Sequence, residues 1–307
     1  MKIPQVSVII VTKNRVEHLL ECLASLAVQS VKPDEVIVID NNSSDLTASA
    51  IKKFSQGVNF PVKRYLEKRD GYPVIYNMGI KQASFKWVAF IDDDCVADIH
   101  WLDTIKKSIT DHSQVAAILG HSQTYHSQNV YSLATYLFDQ DWKKKNLEGK
   151  KVLNFEILDN KNIVYSKSFL DQHKIRFDEK RVHLHNGAAE DADLGLQIQL
   201  SGGMAIFVAR IVVKHKDPIT WTHFFMKRFV AFAAYLDFQE KWSCPKTSST
   251  RKIKFRQVIT QVLNEHPSTI FFQARLILLV SFTVFISLVL ENLLHFPKFK
   301  DRYLRRF

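Results

Sequence analysis

The chain has 307 residues, 46% of them hydrophobic and 24% charged. That excludes a disordered tail, a collagen-like repeat and a mini-protein, and leaves one large domain or one with an appendage. The formal charge of +11 is unevenly placed: residues 1–204 hold 25 Lys and Arg against 25 Asp and Glu, and residues 205–307 hold 17 against 6. A nucleic-acid enzyme concentrates positive charge around its site, so a neutral first two-thirds argues against a nucleic-acid partner. Cys22, Cys95 and Cys244 are far apart and match no metal spacing, a usage that fits a reducing compartment. The opening MKIPQVSVIIVTKNR has a short apolar run and no small-residue cleavage site, so a cytoplasmic location is expected.

Taken in chain order, the elements alternate. Val6–Val11 is a β-branched run of the kind buried on both faces of a parallel sheet. Asn14 is placed to cap a helix, with Glu17 reaching back, and Val16, Leu19, Leu20, Leu23, Leu26 and Ala27 fall on one helical face. Pro33-Asp34 breaks this helix before a second strand, Glu35–Asp40. Asp45–Phe54 predicts a helix, Val62–Leu66 a short strand, residues 74–83 a helix and Trp87–Ile91 a strand that runs into Asp92-Asp93-Asp94. Three βα units predict an α/β fold with a mostly parallel central sheet. Further on, Trp101–Ile109 predicts a helix, Val115–Gly120 and Asn162–Tyr165 strands, and Ala192–Leu200 a helix stopped at Gly202-Gly203.

In open α/β sheets ligands bind beyond the carboxyl ends of the strands. Here those ends carry Thr12-Lys13-Asn14, Asp40-Asn41-Asn42 and Asp92-Asp93-Asp94. Neither a Gly-x-Gly-x-x-Gly fingerprint nor a Walker-type phosphate loop follows the first strand, which removes dinucleotide enzymes and P-loop NTPases. If the chain stays extended past Ile91, Asp92 and Asp94 share a side and suit Mg²⁺ or Mn²⁺; the alternative is an acidic turn that caps the next helix. Asp40 could accept from a uracil imide or a ribose hydroxyl, or form an Asx turn of the kind Asn41, Asn42 and Ser43 also supply. Glu190-Asp191 opens a helix, where the dipole favours ionised carboxylates. There an acid can serve as a general base, or simply be an ordinary acidic first turn. His183, His185 and His215 stand out among twelve histidines, but no zinc spacing accompanies them.

Together these segments resemble the inverting family 2 glycosyltransferases with the GT-A fold. The likeness runs through VSVIIVTKNR, VIVIDNNSSD, Asn77-Met78-Gly79, WVAFIDDDCVADIHWL, NKNIVYSKSFLDQHKIRFDE and AAEDADLGLQIQLSGG, in order over roughly residues 4–215. The resemblance implies that Thr12, Asn14, Asp40, Asn42, Asn77 and Asp93 serve the nucleotide sugar, with UDP the expected nucleotide. It also implies that Asp92 and Asp94 hold the metal, and that Asp191 is the catalytic base with Glu190 beside it. Val11, Lys13, Tyr76 and Gln197 depart from residues common in the family. No Gln-x-x-Arg-Trp occurs, which speaks against a processive synthase.

The last third is basic and apolar. Leu276–Leu290 holds 15 residues without a charge, about 22 Å as a helix against a hydrocarbon core of roughly 30 Å. Arg251, Lys252, Lys254 and Arg256 precede it, and Lys298, Lys300, Arg302, Arg305 and Arg306 follow, as anionic headgroups would attract. Trp221, Phe224, Phe225, Phe229 and Phe232 lie beside Lys227 and Arg228, the mixture of an interfacial helix. The expectation is a catalytic domain at 1–215 and a helical, membrane-associating region at 216–307. Within it, the stretch 270–294 spans the bilayer, lies in one leaflet, or is a buried core helix, and length alone does not choose. The enzyme would act at the inner face of the cell membrane, on a glycan or lipid-linked acceptor of the cell envelope. The competing readings are a non-catalytic membrane-bound scaffold with the same fold and a nucleotidyltransferase.

Overall fold

The computed structural model describes residues 3–137, 143, 147, 151, 152, 157–181, 189–242, 272–279, 281, 282 and 285. These divide into two compact units. The first takes described residues 3–123, 157–181 and 190–215, with 147, 151 and 152; the second takes 124–137, 143, 189 and 216–285.

The first unit is built on a sheet with nine strands among the described residues: β1 (Val6–Thr12), β2 (Glu35–Asp40), β3 (Val62–Leu66), β4 (Trp87–Ile91), β5 (Cys95–Ala97), β6 (Ala117–Thr124), β7 (Lys151–Val152), β8 (Asn162–Ser166) and β9 (Ala205–His215). Their order is β3-β2-β1-β4-β8-β6-β9-β5, with β7 on β9. The first four strands are parallel. Beyond β4 the neighbours run antiparallel at β4–β8, β6–β8 and β5–β9, so the expected parallel sheet is half of a mixed one. Every residue of β1 and β2 is buried. Alternate side chains feed two cores: Ile9, Val11, Ile37 and Ile39 on one face, Val8, Ile10, Val36 and Val38 on the other. Continuous apolar strands are what a sheet covered on both faces requires.

Helices α1 (Val16–Ala27), α2 (Thr47–Gln56), α3 (Tyr72–Gln82), α4 (Trp101–Asp111), α6 (Lys167–Gln172) and α7 (Glu190–Leu200) cover the sheet, while α5 (Val130–Tyr136) belongs to the second unit. Gly79 exists for packing: a Cβ there would stand 2.6 Å from Ile9 Cγ2, so α3 could not lie as close to β1. After α7 the chain turns through Gly202 at φ 76°, a left-handed position that glycine adopts without a Cβ clash. One expectation fails at α1. Arg15, not Asn14, is the capping position and its own side chain makes no capping bond; Asp45 Oδ2 instead accepts from Val16 N at 3.2 Å. Asn14 is left-handed at φ 53° and turns its amide toward the loop after β2 instead.

In the second unit, α5 and α8 (Trp221–Trp242) share an apolar cluster of Val130, Leu133, Leu137, Phe224, Leu276 and Leu279. Asn129 caps α5, its Oδ1 accepting from Tyr131 N at 2.9 Å and Ser132 N at 3.1 Å. The rings of Trp221, Phe225 and Phe282 pack in tilted pairs at centroid distances of 5.0, 5.2 and 5.6 Å. No helix among the described residues is long and apolar enough to cross a membrane. Most of Leu276–Leu290, the basic clusters on either side of it, and His183 and His185 lie outside the described residues.

Candidate active site

Three strand ends meet in the first unit. Thr12, closing β1, donates its hydroxyl to Asp93 Oδ2 at 2.7 Å. Arg15 Nη1 reaches Asp93 Oδ1 at 3.1 Å and Asp94 Oδ2 at 3.2 Å. Burial and the neighbouring Asp94 hold the Asp93 carboxyl above its ordinary range, although Arg15 and Thr12 pull the other way. The chain does not stay extended after β4 as expected. It turns, with Cys95 N donating to Asp92 O at 3.1 Å.

Asp92 and Asp94 nevertheless converge, and His215 at the end of β9 joins them. One ligand atom from each lies within 4.8 Å of the other two. Burial, reinforced by Asp94, Asp159 and Asp93, pushes the Asp92 carboxyl well above the usual range, with Lys161 opposing. Such mutual repulsion is relieved by a cation. Two carboxylates and one imidazole form a mainly hard donor set that fits a divalent ion such as Mn²⁺ or Mg²⁺.

Glu190 and Asp191 open α7. Asp191 Oδ1 accepts from Ala192 N at 2.8 Å, and Glu190 is 9% exposed. Tyr76 packs edge-on against Phe90 at 5.3 Å. Burial pushes the Tyr76 phenol well up, and Asp92, Glu190 and Asp191 all add to the push.

The remaining predicted residues fall into two kinds. Asn14 N donates to Ser43 Oγ at 3.0 Å and Asn14 Oδ1 accepts from Ser44 N at 2.7 Å, while Asn42 is also left-handed at φ 56°. These asparagines join the loops after β1 and β2. Asp40 is fully buried. Its Oδ1 accepts from Ser43 N at 2.9 Å, and its Oδ2 accepts from Arg64 Nε at 2.8 Å and Nη2 at 2.6 Å. These bonds tie the loop after β2 and Arg64 of β3 to the end of β2. Asn77 Nδ2 donates to Phe177 O at 2.9 Å and Glu179 Oε1 at 3.1 Å, and Oδ1 accepts from Phe177 N at 3.0 Å. Through these bonds Asn77 tethers residues 177–179 to α3. Lys13, a departure from the family pattern, pairs with Asp70.

A family model described as glycosyl transferase family 2 matches residues 7–173. The chain belongs to this family. A family 2 relative is similar to it over 93 residues at 37% identity, covering 30% of each protein: the GalNAc(5)-diNAcBac-PP-undecaprenol beta-1,3-glucosyltransferase of Campylobacter jejuni subsp. jejuni. For three other curated relatives the matched part spans 20%, 34% and 30% of their lengths. Among solved structures, the mannosyltransferase PcManGT from Pyrobaculum calidifontis, in complex with GDP-Man and Mn2+, superposes with a TM-score of 0.59 at 16% identity, covering 99% of this chain and 84% of that one. S. aureus TarS 1-349 in complex with UDP-GlcNAc gives 0.55 at 19%, covering 91% and 71%. At such identities the likeness shows the fold, which is GT-A.

Arg15 is the residue that the pattern did not single out, whereas His215 stood out among the histidines with its part in a metal site left open. Arg15 stood unremarked inside VTKNR. His215 ends a run, Ala205–His215, whose β-branched content could have marked it as a strand, but nothing local says which acid it meets.

Proposed function

We propose that this protein is a metal-dependent, inverting glycosyltransferase that moves a sugar from a nucleotide-sugar donor to a hydroxyl of a glycan or lipid-linked acceptor. The observation that carries the reading is the convergence of Asp92, Asp94 and His215 within 4.8 Å of one another. Beside it, Arg15 spans Asp93 and Asp94. The GDP-Man and Mn2+ in one structural neighbour, and UDP-GlcNAc in another, support a nucleotide-sugar donor and a divalent ion.

Asp92, Asp94 and His215 would hold the ion, which when bound would neutralise charge gathering on the departing diphosphate. The half-exposed Arg15 adds positive charge on the same side and keeps Asp93 in place for the ribose. Thr12, Asn14, Asp40 and Asn42 shape the loops that would receive the nucleotide. Asp191, at a helix N-terminus where its ionised form is favoured, would take the proton of the acceptor hydroxyl. That hydroxyl attacks the anomeric carbon from the face opposite the diphosphate, so configuration inverts. Glu190 would assist beside it.

The undecaprenol-linked substrate in the name of one relative supports a lipid-linked acceptor and a role in envelope polysaccharide or lipopolysaccharide synthesis. The charge of residues 205–307, 17 Lys and Arg against 6 Asp and Glu, supports attachment to an anionic membrane at its inner face. A scaffold that had lost activity would be expected to lose its acids, yet Asp92, Asp94, Glu190 and Asp191 are all present. The test is a panel of UDP- and GDP-sugars, each assayed with Mn²⁺ for thermal stabilisation and for release of nucleoside diphosphate. A chain that binds and turns over none of them is not a glycosyltransferase.

A further inference from the structure

Arg15 is anchored at one nitrogen and open at the other two. Nη1 spends both of its N–H bonds on carboxylates, Asp93 Oδ1 at 3.1 Å and Asp94 Oδ2 at 3.2 Å. Nε and Nη2 form the side edge of a guanidinium, where two parallel N–H bonds match two oxygens of a carboxylate or phosphate. Arg64 turns that edge on Asp40, and Arg69 turns it on Glu67. In Arg15 the same edge meets no acid among the described residues. The side chain is 50% exposed, whereas the two carboxylates that it holds are 5% and 15% exposed. The other cation of this loop is already engaged, because Lys13 pairs with Asp70.

Asp94 joins Arg15 to the candidate metal cluster. Its Oδ2 faces Arg15, and its Oδ1 stands 3.4 Å from His215 Nε2. Asp92, Asp94 and His215 bring ligand atoms within 4.8 Å of one another. A divalent ion held by them would therefore lie one carboxylate away from a permanent positive charge. A guanidinium does not deprotonate in a protein, so that repulsion is relieved only by an added anion or by movement of Arg15. The anion that fits must offer oxygens to a hard cation on one side and to a planar fork on the other. A diphosphate does both.

We infer that Arg15 is the counter-cation of the acidic turn and a ligand of the donor's diphosphate. Before ion and nucleotide arrive it holds Asp93 and Asp94, and its charge weakens binding of the ion alone. With both present, Nε and Nη2 bond phosphate oxygens. The inference rests on the glycosyltransferase reading above and adds a phosphate-binding residue to it, together with a reason for ion and nucleotide to be taken up together.

The experiment reads binding on the full chain. Affinities for Mn²⁺ alone, and for UDP and GDP at saturating Mn²⁺, are measured by calorimetry for wild type, Arg15→Gln and Arg15→Lys. Arg15→Gln should bind Mn²⁺ alone about tenfold more tightly, the scale of a unit charge a few ångströms from a divalent ion in water. The same variant should bind the nucleotide about 10–100-fold more weakly, the worth of a hydrogen bond to a charged group. Arg15→Lys keeps the charge and loses the fork, so Mn²⁺ affinity should stay near wild type while the nucleotide still weakens. A residue that merely holds Asp93 and Asp94 in place would lose both affinities together when replaced. That result, or no change in either affinity of Arg15→Gln, overturns the inference and leaves the enzyme reading standing. Equal tightening of Mn²⁺ in Arg15→Lys and Arg15→Gln overturns it as well, because charge would not be the cause. A wild-type chain that binds neither Mn²⁺ nor nucleotide overturns both readings. Should Arg15→Gln fail to fold, Arg15→Lys decides alone: an undiminished nucleotide affinity there overturns the inference.

Discussion

His215 and Asp94 meet across the rim of the sheet, with Nε2 of one 3.4 Å from Oδ1 of the other. The meeting follows from the pairing of Cys95 with His215 where β5 runs antiparallel to β9. It completes a three-residue cluster in which a cation can take two oxygens and a nitrogen.

Asp94→Ala should abolish transfer and weaken nucleotide-sugar binding while the thermal melt stays close to wild type. His215→Ala should raise the Mn²⁺ concentration needed for half-maximal binding by at least the roughly tenfold typical of residues that merely support a metal ligand. Metal titrations followed by calorimetry check both. Undiminished transfer in excess chelator would remove the metal from the reaction.

Asp191→Asn should leave donor affinity nearly unchanged and reduce turnover by about 10²–10⁴-fold, the usual worth of a general base. Steady-state kinetics with varied donor separate the two quantities. Wild-type turnover in this variant would shift the role to Glu190, its neighbour at the start of the same helix.

Glu35 tests the sheet. It is 2% exposed, and accepts hydrogen bonds from Ser7 Oγ at 2.7 Å, Ser84 N at 2.7 Å, Ser84 Oγ at 3.0 Å and Lys63 Nζ at 2.9 Å. Burial alone would raise its carboxyl, but the hydrogen bonds win and hold it below the ordinary value of 4.5. A depressed folded value means that the stabilisation is complete above the unfolded value and is lost as pH falls through the folded one. Glu35→Gln should therefore cost about 1.5–3 kcal/mol at pH 7, and the gap to wild type should close as the solution is taken below about pH 4. Urea unfolding across that range measures it; a gap that persists at low pH would mean the carboxylate's charge is not what stabilises.

The packed rings of Trp221, Phe225 and Phe282 give the membrane reading a local handle. Trp221 is 44% exposed and Met226 on the same helix 48%, an aromatic and apolar surface in the strongly basic third of the chain. Anionic liposomes should sediment the protein at low salt. High salt should release only part of it, because exposed charges are screened within about 8 Å at physiological ionic strength whereas buried apolar contacts are not. Trp221→Ser should increase the fraction released. A chain that stays in the supernatant at low salt has no such surface role.

What the sequence determined by itself was whatever is written in neighbouring residues. Strands β1, β2 and β4 are short apolar runs because both of their faces are covered, and that is a local property. The acids after them are legible because ligands gather at the carboxyl ends of such strands. Tertiary structure alone decided which side chains meet there. Arg15 joins Asp93 and Asp94 because the loop after β1 lies beside that after β4. Asn77 ties α3 to the backbone of Phe177, and His215 arrives through an antiparallel register set far along the chain. The half of the sheet that runs antiparallel was unreadable for the same reason: a strand's composition records how deeply it is buried, while the direction and identity of its neighbour are set by contacts between distant segments.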